Sequence, residues 1–288
     1  MNLATFLWGL TAILGKLITL DGIAIVWYRV GLTSLLFILF TRTWKNLKLL
    51  RKDDFIKLSA LGILLTVHWM LWYSSIKYSN ASIAVSCIAC VSFFVAILEP
   101  IINKTAYVKS DILISILVIP GVWLINQSIS LQYKEGFILG ILAALLAAFY
   151  NIWNKKYTQH IASKNITFVQ MFSGWIFLSL LLPILMKYMD TDLRITENSD
   201  AFELIVLAIL CTILPYFLFF NALKISNAFT TSLINNLEPV YGILLAIIFL
   251  KENKELNFGF YFGVFIILAA VFIHAFYDYR IAAGKNKK

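Results

Sequence analysis

Residues 68–81 read HWMLWYSSIKYSNA, and residues 215–228, 147 positions further on, read PYFLFFNALKISNA. Leu71, Lys77, Ser79, Asn80 and Ala81 recur as Leu218, Lys224, Ser226, Asn227 and Ala228. Aromatic residues pair as well, Trp69 with Tyr216, Trp72 with Phe219 and Tyr73 with Phe220. The register persists downstream, where Leu98 and Lys104 match Leu245 and Lys251. Self-similarity at one fixed offset is the mark of an internal duplication, here of a unit of about 145 residues.

Hydropathy says what was duplicated. Of 288 residues, 61% are apolar or aromatic and 14% are charged, and the mean hydropathy is +0.84. An ordinary soluble domain carries about 25% charged residues. One aqueous core could not hide this excess, which excludes a water-soluble enzyme, a disordered chain and a disulfide-stapled module. The apolar blocks run unbroken for 17–23 residues, close to the roughly 20 that cross a bilayer as a helix. A membrane β-barrel would instead alternate over strands of about ten residues. Ten helical spans are expected near 3–20, 23–41, 57–77, 80–102, 110–128, 136–154, 167–187, 202–223, 228–250 and 257–277. Lys16 lies inside the first of them and no basic segment precedes it, so it reads as a retained helix rather than a cleaved signal.

Lys and Arg concentrate in cytoplasmic loops of membrane proteins. With the N-terminus inside, sixteen of the 24 Lys and Arg fall in cytoplasmic segments and six outside, while Lys16 and Arg29 remain in the membrane. Both termini are then cytoplasmic. The net charge of +9 lies in short runs that suit anionic lipid, and no nucleic-acid partner is called for. The Ile, Lys and Asn content suggests an AT-rich bacterial genome, hence an inner membrane.

Five spans per half is an odd number, so the second copy enters the membrane upside down relative to the first. Inverted repeats characterise many secondary transporters, whose substrate site lies near mid-membrane between the halves. A channel, a scaffold or an integral membrane enzyme is the other reading. An enzyme would need a constellation of acids, a Ser/His set or metal ligands at one face. The three histidines, His68, His160 and His274, are scattered, and neither HExxH, GxSxG nor GxxxxGK[ST] occurs. Cys87 and Cys90 form a CxxC, but within an apolar span and without further ligands it reads as helix packing. No cofactor or metal is expected.

The residues also carry a family resemblance. Trp8 and Gly9 in the first span, Lys16 after them and Arg29 in the second resemble the opening of EamA-type members of the drug/metabolite transporter superfamily. Residues 222–252, ALKISNAFTTSLINNLEPVYGILLAIIFLKE, are similar to that family's small-residue helix, its Glu-Pro and its closing Glu. The resemblance covers two EamA-like five-helix units, 3–127 and 136–277, followed by a basic tail over 278–288. It implies ten helices as two inverted five-helix repeats, a central cavity, and export or exchange of small metabolites such as amino acids. The first half departs from the pattern, with Ser92 where the second has Pro239 and Thr105 where it has Glu252.

Several residues are candidates for lining such a cavity. Glu238 falls about ten residues into the ninth span, hence about 15 Å deep. There an ionised carboxylate costs at least about 2.5 kcal/mol unless it faces protein or water. Thr231, Asn235, Glu238 and Gly242 share one helix stripe, and their first-half equivalents Ala84, Ile88, Val91 and Val95 are all apolar. Glu238 is therefore read as contacting substrate, exchanging a proton, or bonding a neighbouring helix. His68 and Trp72 share a face of span three, where His68 is either a proton carrier or a packing residue. Trp8, Trp72, Tyr150, Tyr216 and Phe220 are candidates for an aromatic wall, and Asn151 and Asn154 for amides turned from lipid. Lys16 and Arg29 fall near the outer ends of their spans, where long basic side chains snorkel to headgroups and Asp21 is available to pair. The alternative is that one of them attracts a carboxylate-bearing substrate. Gly259 with Gly263, and Gly136 with Gly140, are small-xxx-small patterns that fit packing within one chain or between two.

Overall fold

The computed structural model describes residues 2–41, 50–107, 116–158, 161–189, 191–218 and 237–285. Among these the regular structure is entirely helical: α1 (Asn2–Leu17), α2 (Gly22–Thr41), α3 (Lys52–Tyr78), α4 (Ala81–Ile88), α5 (Val91–Asn103), α6 (Val118–Ser128), α7 (Lys134–Thr158), α8 (Ser163–Tyr188), α9 (Asn198–Ala208), α10 (Glu238–Leu245) and α11 (Phe258–Lys285). The wide turns Ile209–Ile213 and Ala246–Leu250, both π-helical, prolong α9 and α10. Among the described residues six helical stretches are long and apolar enough to cross a membrane: Gly22–Leu39, Lys52–Tyr78, Ala81–Asn103, Leu131–Tyr157, Ser163–Tyr188 and Asn198–Leu218. Asn2–Leu17, Glu238–Leu250 and Phe258–Ala270 are shorter apolar helices.

Burial is inverted relative to a soluble protein. Leu39, Leu180, Phe202, Ile248 and Phe265 stand exposed on the outside, while Arg29, Ser75, Asn80, Gln170, Asp200 and Glu252 are buried within. Lipid is as apolar as leucine, so helices in it associate through close packing and polar contacts. Both small-xxx-small patterns serve that end inside this chain. A Cβ on Gly263 would stand 2.8 Å from the carbonyl oxygen of Gly121. One on Gly140 would stand 2.8 Å from Cys87 Sγ and from Ser75 Oγ. Contact this close seats α11 on α6 and α7 on α3 and α4.

The expected spans are adjusted at several ends and at one interior point. α3 begins at Lys52 rather than 57, with Asp53 and Asp54 in its first turn, where carboxylates favour the positive end of the helix dipole. α8 begins at Ser163 rather than 167, and α11 runs through Lys285 into the expected tail. The span expected over 80–102 is present but interrupted: Ala89 and Cys90 form a turn in which Cys90 N–H bonds the Cys87 carbonyl at 3.0 Å. Of the fifth, eighth and ninth expected spans, 110–115, 219–223 and 228–236 lie outside the described residues.

Candidate functional site

Arg29 stands eight residues into α2 and is 2% exposed, so it does not reach the headgroups. Asp21, its expected partner, instead caps α2, accepting from Ile23 N at 2.7 Å and Ala24 N at 3.0 Å. The guanidinium donates to Thr212 Oγ1 through Nε at 2.8 Å, to Tyr73 Oη through Nη1 at 2.9 Å, and to the Cys211 carbonyl through Nη2 at 3.0 Å. It lies over the Trp69 ring at 3.9 Å from the centroid, a cation–π contact. The sequence explains the carbonyl's availability. Pro215 has no N–H to offer Cys211, four residues before it, and the wide turn around Cys211 bends the strand of backbone bonds locally. Thr212 Oγ1 in turn donates to the Leu207 carbonyl at 2.9 Å. One cation thus ties α2, α3 and the end of α9 together.

A second polar group adjoins it. Tyr150 of α7 donates to Gln170 Oε1 of α8 at 2.8 Å, and Gln170 Nε2 donates to Asn154 Oδ1 at 3.2 Å. The Tyr150 and Tyr216 hydroxyls share a hydrogen bond, and the Tyr216 ring meets Trp8 of α1 edge-on at 5.9 Å. Glu238 opens α10, with Pro239 in the second position, where a missing N–H breaks no bond. Its carboxylate is coupled electrostatically to Arg29 and to Tyr216 without forming an ion pair with Arg29.

Of the residues singled out in the sequence, buried Tyr150 and half-buried Trp8, Asn154, Tyr216 and Glu238 therefore gather in one region. His68 lines its edge, its Nδ1 2.8 Å from the Ala143 carbonyl, under the influence of the Arg29 charge. Trp72 is buried one turn on, its ring against Tyr73 at 5.0 Å, and its Nε1 has no partner among the described residues. Lys16 is elsewhere: it donates to the Ser79 carbonyl at 3.0 Å and caps the C-terminal end of α3. Asn151 is exposed on the outer face of α7. Phe220, Thr231 and Asn235 lie outside the described residues. Arg29, Trp69, Tyr73, Gln170 and Thr212 were not among the expected cavity residues. The rule that amides avoid lipid, applied to Asn154, would have found Gln170.

Two further contacts close the end of the assembly. Glu252, 2% exposed, accepts from Ala81 N and Ser82 N at 2.8 Å each and so caps α4. Glu255 accepts from Tyr133 Oη at 3.0 Å and from Asn80 Nδ2 at 3.4 Å. A cavity of about 390 Å³ lies apart from all of this, on the outer side of α3 and α8, walled by Phe55, Ile63, Phe168, Phe172, Ile176 and Leu180.

Apolar helices enclosing a buried cluster of charge, amide and hydroxyl groups define a polytopic membrane protein with a polar interior. The EamA-like transporter family matches residues 1–127 and again 134–276, and the chain belongs to that family, within the drug/metabolite transporters. A protein of Archaeoglobus fulgidus called an uncharacterized transporter is 24% identical over 202 residues, which is 70% of this chain and 69% of that protein. A solved structure, described only as the crystal structure of a protein, superposes with TM-score 0.62 over 94% of this chain and 93% of its own, at 10% identity. That likeness concerns the fold alone.

Proposed function

We propose that the protein is a secondary carrier for a small organic metabolite, exporting or exchanging it across a bacterial inner membrane by alternating access. On this reading ten spans form two inverted five-helix units, 3–127 and 136–277, with both termini and the basic 278–288 segment cytoplasmic. Rocking of one unit against the other exposes a central site to either side in turn. Among the described helices, the packing supports such a pseudo-two-fold. α1 packs on α10 as α7 does on α4, and α2 on the end of α9 as α8 does on α3. The pairs α2 with α8, α4 with α10 and α6 with α11 are self-related in that exchange.

The observation that carries the reading is a polar cluster drawn from both units, buried at Arg29, His68, Tyr150, Gln170 and Thr212 and half-buried at the rest. Trp8, Arg29 and His68 come from the first, and Tyr150, Asn154, Gln170, Thr212, Tyr216 and Glu238 from the second. Charge placed this deep is rare outside substrate and ion paths, since even lenient scales assign it about 2.5–3.5 kcal/mol. Glu238 and His68 are the candidates for proton coupling, with Thr231, Asn235 and Phe220 as further lining residues. Trp72, Asn151 and Lys16 complete the set tested by substitution.

Reconstitution decides the class. Proteoliposomes preloaded with metabolites found to differ between deletion and overexpressing cells should show saturable uptake of the labelled compound, accelerated by the same compound inside. Flux that rises linearly and ignores the trans side would mean a channel. Labelling of cysteines placed near residue 130 and in the C-terminal tail should occur on opposite faces. Labelling on the same face would end the inverted-repeat reading.

A further inference from the structure

The groove on the outer side of α3 and α8 is separate from the polar cluster and has a construction of its own. One wall is a stripe of α3, Phe55, Ser59 and Ile63, and the other a stripe of α8, Phe168, Phe172 and Ile176. Each stripe repeats at intervals of four residues, so each is one face of its helix. Where the helices cross they touch backbone to backbone, and a Cβ on Gly62 would collide with the Gln170 carbonyl. Beside that contact the larger side chains stand apart and leave about 390 Å³, within the roughly 300–1,000 Å³ of ligand pockets. The wall on α8 runs from Phe168 to Leu180, about 18 Å of helix at 1.5 Å per residue. That is close to one leaflet of a hydrocarbon core roughly 30 Å thick. Ile176 is 44% and Leu180 75% exposed, so the groove opens on the apolar outer surface. Inside it, the buried Ser59 hydroxyl has no partner among the described residues. Buried hydroxyls in native proteins are nearly always satisfied, so this one points to a polar group from outside the chain.

Charge stands at the end of the groove where both helices begin. Lys57 of α3 lies over the ring of Tyr157, just before the turn into α8, at 5.3 Å. At this end Lys52 precedes Phe55 by three residues and Lys164 precedes Phe168 by four, spacings that keep each lysine on the groove face of its helix. Both lysines are exposed, and neither makes an ion pair among the described residues. The neighbouring acids are engaged or turned inward: Asp53 pairs with Arg51 at 3.9 Å, and Asp54 is 8% exposed. We propose that the groove is a binding site for an anionic phospholipid. One acyl chain lies along Phe168, Phe172 and Ile176, the phosphate sits between Lys52 and Lys164, and the ester region meets Ser59. A zwitterionic lipid offers the same chains, but its ammonium offsets the charge that the lysines attract. On the topology proposed above this end is cytoplasmic, where basic residues between helices meet anionic headgroups. The site itself requires only that the two lysines share an end, and it holds whatever solute the protein moves.

The test offers the purified full chain mixed micelles holding equal amounts of dioleoylphosphatidylglycerol and dioleoylphosphatidylcholine, and counts the lipid retained by native mass spectrometry. The wild type should retain the anionic lipid at least about tenfold over the zwitterionic one, from two lysine–phosphate contacts. In the double variant Lys52→Gln with Lys164→Gln that preference should shrink to within about twofold. The pair Lys52→Arg with Lys164→Arg keeps the charge and should keep the preference. Ile63→Trp fills the groove and should lower retention of both lipids. The proposal is overturned if the wild type retains the two lipids equally, or if the Gln pair keeps full preference. It is overturned too if Ile63→Trp retains as much lipid as the wild type. Displacement of the lipid by glycerol 3-phosphate would show a phosphate site that does not use the groove, and would also overturn it. So would an Ile176→Cys protein that forms a disulfide-linked dimer in native membranes, since a second copy would then occupy the groove.

Discussion

Residues 80–105 and 227–252 are the same segment written twice, and where both are described, over 90–105 and 237–252, the two copies start and end their helices in register while differing in chemistry. In the first copy the helix is broken at Ala89 and Cys90; in the second, α10 begins just after Leu237, the residue in register with Cys90. Lys104 and Lys251, also in register, both end their helices in the left-handed conformation, with φ of 53° and 56°. They are the two non-glycine residues with positive φ among those described. Yet Val91 stands where the second copy has Glu238, Ser92 where it has Pro239, and Thr105 where it has Glu252. The shape of the unit is thus kept by turns and helix ends that tolerate many residue types. Glu238, Pro239 and Glu252 have no counterparts in the first copy, so on the carrier reading proposed above the two copies need not make the same contacts.

The largest effect should come from exchanging that chemistry. Glu238→Val is expected to leave a folded, membrane-inserted protein and to reduce counterflow at least tenfold, whereas Val91→Glu places an acid where the first copy offers no counterpart. The latter should lower the yield of inserted protein, since an unpaired carboxylate costs at least about 2.5 kcal/mol there. Membrane-fraction yield and exchange rate measured on the same preparations separate the two outcomes. Glu238→Gln adds a finer reading: if the carboxylate moves a proton, exchange should continue and lose its dependence on pH. Equal activity in all three variants would mean that the asymmetry between copies has no functional content.

A smaller contrast lies at the segment ends. Glu252 receives two backbone N–H groups of α4, and a charged acceptor in two buried hydrogen bonds contributes about 1.5–3 kcal/mol for each. Glu252→Ala should lower stability by about 2–4 kcal/mol once water partly replaces the carboxylate. Thr105 is exposed, and Thr105→Ala should stay within about 0.5 kcal/mol. Thermal unfolding in detergent, followed by tryptophan fluorescence, gives both numbers. Comparable losses at the two positions would show that the ends are equivalent after all.

What was legible in the sequence follows the same division. Hydropathy marked out the apolar helices, six of them long enough to cross a membrane among the described residues, because apolar length is a local property. It could not report the break at Ala89 and Cys90, since no proline or glycine marks it. Glu238, Tyr150, Asn154, Tyr216 and Trp8 were found as polar or aromatic residues in apolar helices, and they do assemble. Of the two readings of Arg29, anchoring at the headgroups fails because the side chain is buried, and Asp21 with a nearby helix end had offered that surface explanation. The Pro215 that frees the Cys211 carbonyl lies almost two hundred residues away, so only the fold joins them. Lys16 was read as a possible solute contact because nothing local shows that the end of α3 comes to meet it.

The smallest effect tests the shared backbone rather than the divided chemistry. A residue with a Cβ in the left-handed region is disfavoured by roughly 1–2 kcal/mol, and glycine is free of that penalty. Against this, glycine raises the entropy of the unfolded chain, a loss of about 0.4–1 kcal/mol. Lys104→Gly and Lys251→Gly should therefore each stabilise the protein by about 0.5 kcal/mol, the difference between those two effects. Both side chains are exposed, so little packing is lost in either. The informative quantity is the agreement between the two shifts in unfolding midpoint, taken in one detergent at one pH. If the two copies share their backbone, the shifts match even though residue 252 differs from residue 105 immediately afterwards. If Lys251→Gly destabilises while Lys104→Gly does not, the helix end at 251 is being held by the buried Glu252 beside it, and the duplication has diverged in structure as well as in chemistry.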